Sequence, residues 1–153
     1  MLAPSRIPPR LVALLGYGGL LPFLALAALA WLDPPRQARW SGALLEYGAV
    51  ILAFVGALHW ALAMQATTLA QARRAQAYAW SVVPALIAWG ALQLAPGPAA
   101  LLLVVGFTLH LWADRTLAAR MPLPAWYLPL RLRLTAVACA CLLAEAWRSA
   151  GIA

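Results

Sequence analysis

Lysine is absent from this chain and acidic side chains are scarce: 153 residues hold eleven arginines, four carboxylates and two histidines. Charged residues make up 10% of the sequence, against about 25% in a soluble domain. The two cysteines, Cys139 and Cys141, share one apolar run. Two residues apart on a helix, they point about 200° apart and cannot bridge each other. No CxxC pair or disulfide framework is present, so they read as small packing residues. Phosphate-binding glycine loops, an HExxH motif and a Ser-His-Asp pattern singled out by spacing are likewise missing. These absences remove the familiar soluble enzyme classes and imply no cofactor.

What fills the chain instead is hydrocarbon. Apolar residues account for 65% and the mean hydropathy is +0.83. One domain of this size cannot hide that much apolar surface from water, so lipid must act as the solvent. The expected fold is a single all-α integral-membrane domain over residues 1–153. The net charge of +7 would suggest nucleic acid in a soluble protein. Here the arginines fall in the gaps between apolar runs, where they meet lipid headgroups. No basic stripe remains for DNA or RNA, and the bilayer itself is the first expected partner.

A helix needs about 20 mostly apolar residues to cross the hydrocarbon layer. Five runs qualify or come close: residues 11–32, 42–64, 78–95, 99–113 and 132–147. The first stops at Asp33-Pro34-Pro35, which cannot continue a helix. Its apolar stretch exceeds the 7–15 residues, roughly, of a signal peptide, so it reads as a retained span despite the cleavage-like Ala28-Leu29-Ala30. Ala95-Pro96-Gly97-Pro98 reads as a tight turn joining the third and fourth spans. The segment from Gln65 to Ala77 reads as an extension of the second span that turns near Arg73-Arg74. The last two spans are short, and Trp126 and Tyr127 help fill the interface, with Arg131 and Arg133 as headgroup anchors.

Arginine counts give the orientation. One side collects Arg6, Arg10, Arg73, Arg74, Arg115, Arg120, Arg131 and Arg133, and the other Arg36, Arg39 and Arg148. That bias places the N-terminus in the cytoplasm and the protein in a bacterial inner membrane.

Polar residues at depth carry the functional information, because burial there is costly without a partner. They form two tiers. Glu46, Gln93 and Glu145 lie toward the outer face; His59, His110 and Asp114 lie toward the inner face. The outer tier draws on three helices and the inner on two, and both can converge in the bundle. His110 and Asp114 are one turn apart on one helical face, and Gly56 and Gly106 precede the histidines by about a turn. Glycine there admits a neighbouring helix or a flat cofactor.

Three readings of the inner tier stay open: hydrogen-bonded packing between helices, a metal or b-type haem site on His59 and His110, and proton or solute handling. Glu46 and His59 are about 20 Å apart along one helix and differ by about 140° in direction, which excludes a direct relay between them. Glu46 can reach water or pair with Arg36 or Arg39, and Glu145 with Arg148. Ser81 can approach the histidines.

The motifs Tyr17-Gly18-Gly19-Leu20-Leu21-Pro22-Phe23, Tyr47-Gly48 through Gly56 with His59-Trp60, Pro84-Ala85-Leu86-Ile87-Ala88-Trp89 and Pro124-Ala125-Trp126-Tyr127 run along nearly the whole chain. Together they resemble the bacterial and mitochondrial membrane proteins grouped as domain of unknown function 3429. The resemblance implies a multi-span inner-membrane protein with no assigned activity and no catalytic residues to carry over. Ala57 and Ala61 stand where the family pattern leads one to expect glycine, which would loosen packing around His59. The expected function is non-enzymatic: assembly or support of a membrane complex, with another membrane protein or a second copy as partner. A small transporter or proton-coupled component is the alternative, and a haem- or metal-binding redox subunit the third.

Overall fold

In a computed structural model of the protein, which describes residues 7–65 and 70–151, the apolar runs become helices and no strand occurs among the described residues. The first run is broken into α1 (Arg10–Gly18) and α2 (Leu21–Leu32). Pro22 explains the break: it lacks an N–H, and its ring disfavours the preceding turn. At the break the Gly19 carbonyl is satisfied from outside the helix, because Tyr47 donates its hydroxyl to it at 2.8 Å. In hydrocarbon such a carbonyl has no water to turn to.

A 3-10 turn at Pro34–Arg36 leads into α3 (Gln37–Gln65), followed by α4 (Gln71–Ala91), α5 (Pro96–Ala118) and α6 (Tyr127–Gly151). Four stretches are long and apolar enough to cross a bilayer: Arg10–Leu32, Pro34–Gln65, Pro96–Ala118 and Tyr127–Gly151. The fifth rod, α4, opens with the polar residues Gln71, Arg73, Arg74 and Gln76, and its apolar character continues past the helix end into Leu92 and Leu94. The protein is therefore a bundle of five long helical rods, four of them of spanning length and composition.

Several boundaries differ from the sequence reading for local reasons. Pro96 does not end a turn but starts α5, since proline suits the first helical turn; the hairpin turn is residues 92–95. The last two helices, expected short, span 23 and 25 residues. Arg73 and Arg74 lie in the first turn of α4 rather than at the bend, and Arg74 Nε donates to the Ala63 carbonyl at 3.2 Å, stitching α4 to the end of α3. Arg6 and part of the connection between α3 and α4 lie outside the described residues.

The middle of the bundle is apolar. Leu44, Leu52, Leu103 and Leu142 are fully shielded, and Phe23 and Phe107 meet edge to face with ring centroids 6.2 Å apart. Helix α3 is the hub, packing on α2, α4, α5 and α6. Two glycines set its spacing. A methyl at Gly56 would lie 2.8 Å from Pro84 Cβ and 3.1 Å from the Ser81 carbonyl oxygen, and one at Gly106 would lie 2.5 Å from Leu52 Cδ2. Both glycines therefore admit a neighbouring helix, and the space beside them holds Pro84 and Leu52 rather than a slot for a flat cofactor. Ala57 and Ala61 face outward, so the missing glycines do not touch the packing around His59.

The outside of the bundle is equally apolar. Trp31, Trp89, Trp112 and Trp147 are each more than half exposed, as suits aromatic side chains facing lipid and the headgroup boundary.

Candidate functional site

The inner tier converges on one carboxylate. Asp114 projects from α5 into the bundle, where it is completely shielded. It accepts from His59 Nε2 of α3 at 2.9 Å and from the Tyr127 hydroxyl at 3.2 Å on Oδ1, and from Arg131 Nε of α6 at 2.8 Å on Oδ2. His110, one turn before Asp114, lies 3.8 Å from Oδ1 and against His59, with ring centroids 4.7 Å apart and planes tilted by 53°. Trp80 of α4 donates its indole N–H to His110 Nδ1 at 3.3 Å. The cluster thus ties together α3, α4, α5 and α6 within one layer.

Tyr127 and Arg131 are the main departure from the sequence reading, which put them at the interface as anchors. Arg131 is buried and paired with Asp114, because the start of α6 turns this face toward α5. Trp126 stays half-buried beside Tyr127, and Arg133 is exposed, reaching Tyr17 through a 3.2 Å hydrogen bond. Trp80 was not singled out from the sequence. Its neighbour Ser81, which was, instead donates to the Tyr78 carbonyl at 2.7 Å. No local sequence signal marked Arg131; that it and Thr135, one turn on, share a buried face of α6 is visible only in the structure.

The outer tier does not converge. Glu46 and Gln93 are exposed, and Gln93 merely donates back to the Trp89 carbonyl of its own helix at 3.3 Å. Arg36 pairs with Asp33 at 3.8 Å and Arg39 lies over the Trp40 ring, so neither reaches Glu46. Glu145 alone is buried. It accepts from Arg148 at 2.6 Å and from Ser41 of α3 at 2.8 Å, and Arg148 also donates to Ser41 Oγ at 2.6 Å. This closed triad clamps α6 to α3 at the opposite end from Asp114.

Both clusters neutralise themselves. A carboxylate in a dry bundle is tolerable only with its charge matched and its lone pairs occupied, and Arg131 and Arg148 perform that task. Among the described residues, three buried polar atoms keep no hydrogen-bond partner of good geometry: His110 Nε2, Arg131 Nη2 and Thr135 Oγ1.

The donor set also decides how well a metal fits. Ligand atoms of His59, His110 and Asp114 lie within 4.8 Å of one another, close enough to share an ion. A metal-bound histidine donates its other N–H to an acceptor. His110 Nδ1 faces an indole N–H, which only donates, so His110 in this setting keeps its proton on Nε2. Asp114 is already occupied by three donors. The imidazoles touch each other, leaving no gap for a haem between them.

A cavity of about 520 Å³ opens between α4 and α5 and ends at His59, with Arg73, Gln76, Trp112 and Arg120 among its walls. A second, of about 360 Å³, lies between α1, α2, α3 and α6 and is lined mainly by apolar side chains such as Leu15, Phe54 and Leu134.

No solved structure is similar to the chain. Transmembrane protein 69 of Xenopus tropicalis is 33% identical over 137 residues, which cover 85% of this chain and 51% of that protein. The chain thus spans about half the length of this relative. The profile of a family described as "Protein of unknown function (DUF3429)" matches residues 8–147, from before α1 almost to the end of α6. The protein is a polytopic membrane protein of the DUF3429 family.

Proposed function

We propose that this protein is a non-catalytic scaffold of the bacterial inner membrane that supports assembly of a membrane complex, with its N-terminus in the cytoplasm. The observation that carries this reading is the use made of the buried charges. Asp114 is spent on Arg131 between α5 and α6, and Glu145 and Arg148, paired within α6, together hold Ser41 of α3. A shielded layer of Leu52, Leu103, Phe107 and Leu142 lies in the core between them. The interior is built to hold a shape, and the apolar exterior is what a neighbouring membrane protein would meet.

The test is removal of the protein from its host, followed by separation of the membrane complexes on native gels and identification of subunits by mass spectrometry. The expected result is one complex shifted to lower mass and restored by a plasmid-borne copy. An unchanged set of complexes would sink the scaffold reading.

One observation favours a second reading, a small transporter or proton-coupled component: the cavity that ends at His59, itself bonded to Asp114. Proton or solute flux into vesicles containing the purified protein, lost on Asp114→Asn, would put this reading first.

A further inference from the structure

Arg73 and Arg120 have no carboxylate to neutralise them. All four acidic side chains of the chain lie among the described residues. Asp33 is paired with Arg36, Asp114 with Arg131 and Glu145 with Arg148. The remaining one, Glu46, is near the far end of α3, about 25 Å along the axis from Ala63, where Arg74 is attached. Neither Arg73 nor Arg120 makes a side-chain hydrogen bond to any described residue, yet both stand in the wall of the same cavity.

That cavity has two chemical halves. Beyond the arginines its walls are hydrocarbon and aromatic: Ala77, Ala79, Val83, Trp112 and Leu117. Its other polar residues are Gln76, Thr116 and His59, the last only 3% exposed overall. His59 Nε2 is committed to Asp114, while Nδ1 makes no hydrogen bond to any described residue. The α4–α5 hairpin explains the opening. The two helices are joined at residues 92–95, and α4 packs chiefly on α3 and α5 chiefly on α6, which leaves the cleft between them.

We propose that this cleft is a binding site for an anionic phospholipid, with the phosphate held by Arg73 and Arg120 and a hydrocarbon chain laid along Ala79, Val83 and Trp112. Guanidinium groups match phosphate oxygens in geometry as well as charge, and basic pockets between membrane helices take acidic headgroups. The apolar wall selects a lipid over a soluble anion. His59 Nδ1 offers one further polar contact at the base of the cleft. The site does not depend on the scaffold reading, since it rests on unpaired charge and the shape of the cleft alone.

The test uses the full chain purified in mild detergent. Phosphatidylglycerol, phosphatidylcholine with the same acyl chains, and inorganic phosphate are added separately, and bound lipid is counted by native mass spectrometry beside the melting temperature. Phosphatidylglycerol is expected to bind and raise the melting temperature, with phosphatidylcholine and phosphate far less effective. In Arg73→Gln/Arg120→Gln the apparent affinity should fall roughly tenfold or more, on the scale of two juxtamembrane cations. The control Arg36→Gln/Arg39→Gln, with the same loss of charge elsewhere, should bind as the parent does. Ala79→Trp fills the cleft from an exposed position and should lose the lipid while melting normally without it. Equal binding of both lipids, a full effect of phosphate alone, or undiminished phosphatidylglycerol binding in Arg73→Gln/Arg120→Gln or in Ala79→Trp would each overturn the proposal.

Discussion

Arg131 Nε meets Asp114 Oδ2 at 2.8 Å inside the bundle, joining α6 to α5 through a pair that is almost wholly removed from solvent. The same carboxylate holds His59 and Tyr127 through its other oxygen. One ionised group therefore sets the relative positions of three helices, and the behaviour of the bundle should follow from it.

Breaking this pair from one side should cost far more than removing both partners. Asp114→Asn leaves the Arg131 guanidinium buried without a counter-charge, which costs about 3–5 kcal/mol in proteins where it has been measured. Replacing both by apolar residues, Asp114→Leu/Arg131→Met, removes the desolvation penalty as well and should recover much of that loss. Unfolding in mixed micelles checks the order. If the double variant were the less stable of the two, the pair would be a net contributor and this account would fail.

The glycines should rank by what stands opposite them. At Gly56 a methyl meets the Pro84 ring at 2.8 Å and the Ser81 carbonyl at 3.1 Å, neither of which can swing away. At Gly106 it meets the end of the Leu52 side chain at 2.5 Å and Ile87 Cγ2 at 3.0 Å. Gly56→Ala should lose about 1–3 kcal/mol, the usual range for overpacking, and Gly106→Ala less. Gly90→Ala, with nothing within 4 Å, should be neutral or slightly stabilising because alanine favours helix. Thermal melts of the three variants give the ranking directly.

Metal content offers a sharp check on the donor-set argument. Because Trp80 donates to His110 Nδ1, the purified protein should carry no stoichiometric iron, copper or zinc. Elemental analysis beside His59→Ala/His110→Ala decides it: one equivalent of metal, lost in the variant, would show that His110 can rearrange into a ligand.

Topology can be read with a reporter fused after α6. Among the described arginines only Arg131 and Arg148 are withdrawn into buried ion pairs, which takes the sequence count from eight against three to seven against two. The expected outcome is a C-terminal fusion on the non-cytoplasmic side. Cytoplasmic activity of that fusion would mean an even number of crossings, with α4 as the helix that fails to cross.

The sequence carried much of the fold because each spanning helix is written locally, as a run of apolar residues closed by proline, glycine or arginine. It erred where a residue's role depends on which way a helix is turned. Pro96 serves equally well in a turn or at the start of a helix. Arg131 and Arg133 are chemically alike and two residues apart, yet opposite faces of α6 send one into the bundle and one outward.

The candidate site divides in the same way. The inner tier was visible because His59, His110 and Asp114 are rare polar residues at similar depth, with two of them one turn apart. Of its partners, Tyr127 and Arg131 looked like interface residues and Trp80 was not singled out, and nothing in their local sequence says otherwise. Glu46 and Glu145 looked alike at the outer end, but only Glu145 faces Ser41 across the bundle.

Composition and spacing alone determined that this chain lives in lipid, that it is helical, and roughly where each apolar rod begins and ends, because hydrocarbon demands those things of any backbone that enters it. The tertiary structure decided which charges pair, which glycines are filled and where a cleft remains open, because these depend on the rotation and crossing of helices. Rotation and crossing are set by contacts between residues as far apart as Ser41 and Glu145.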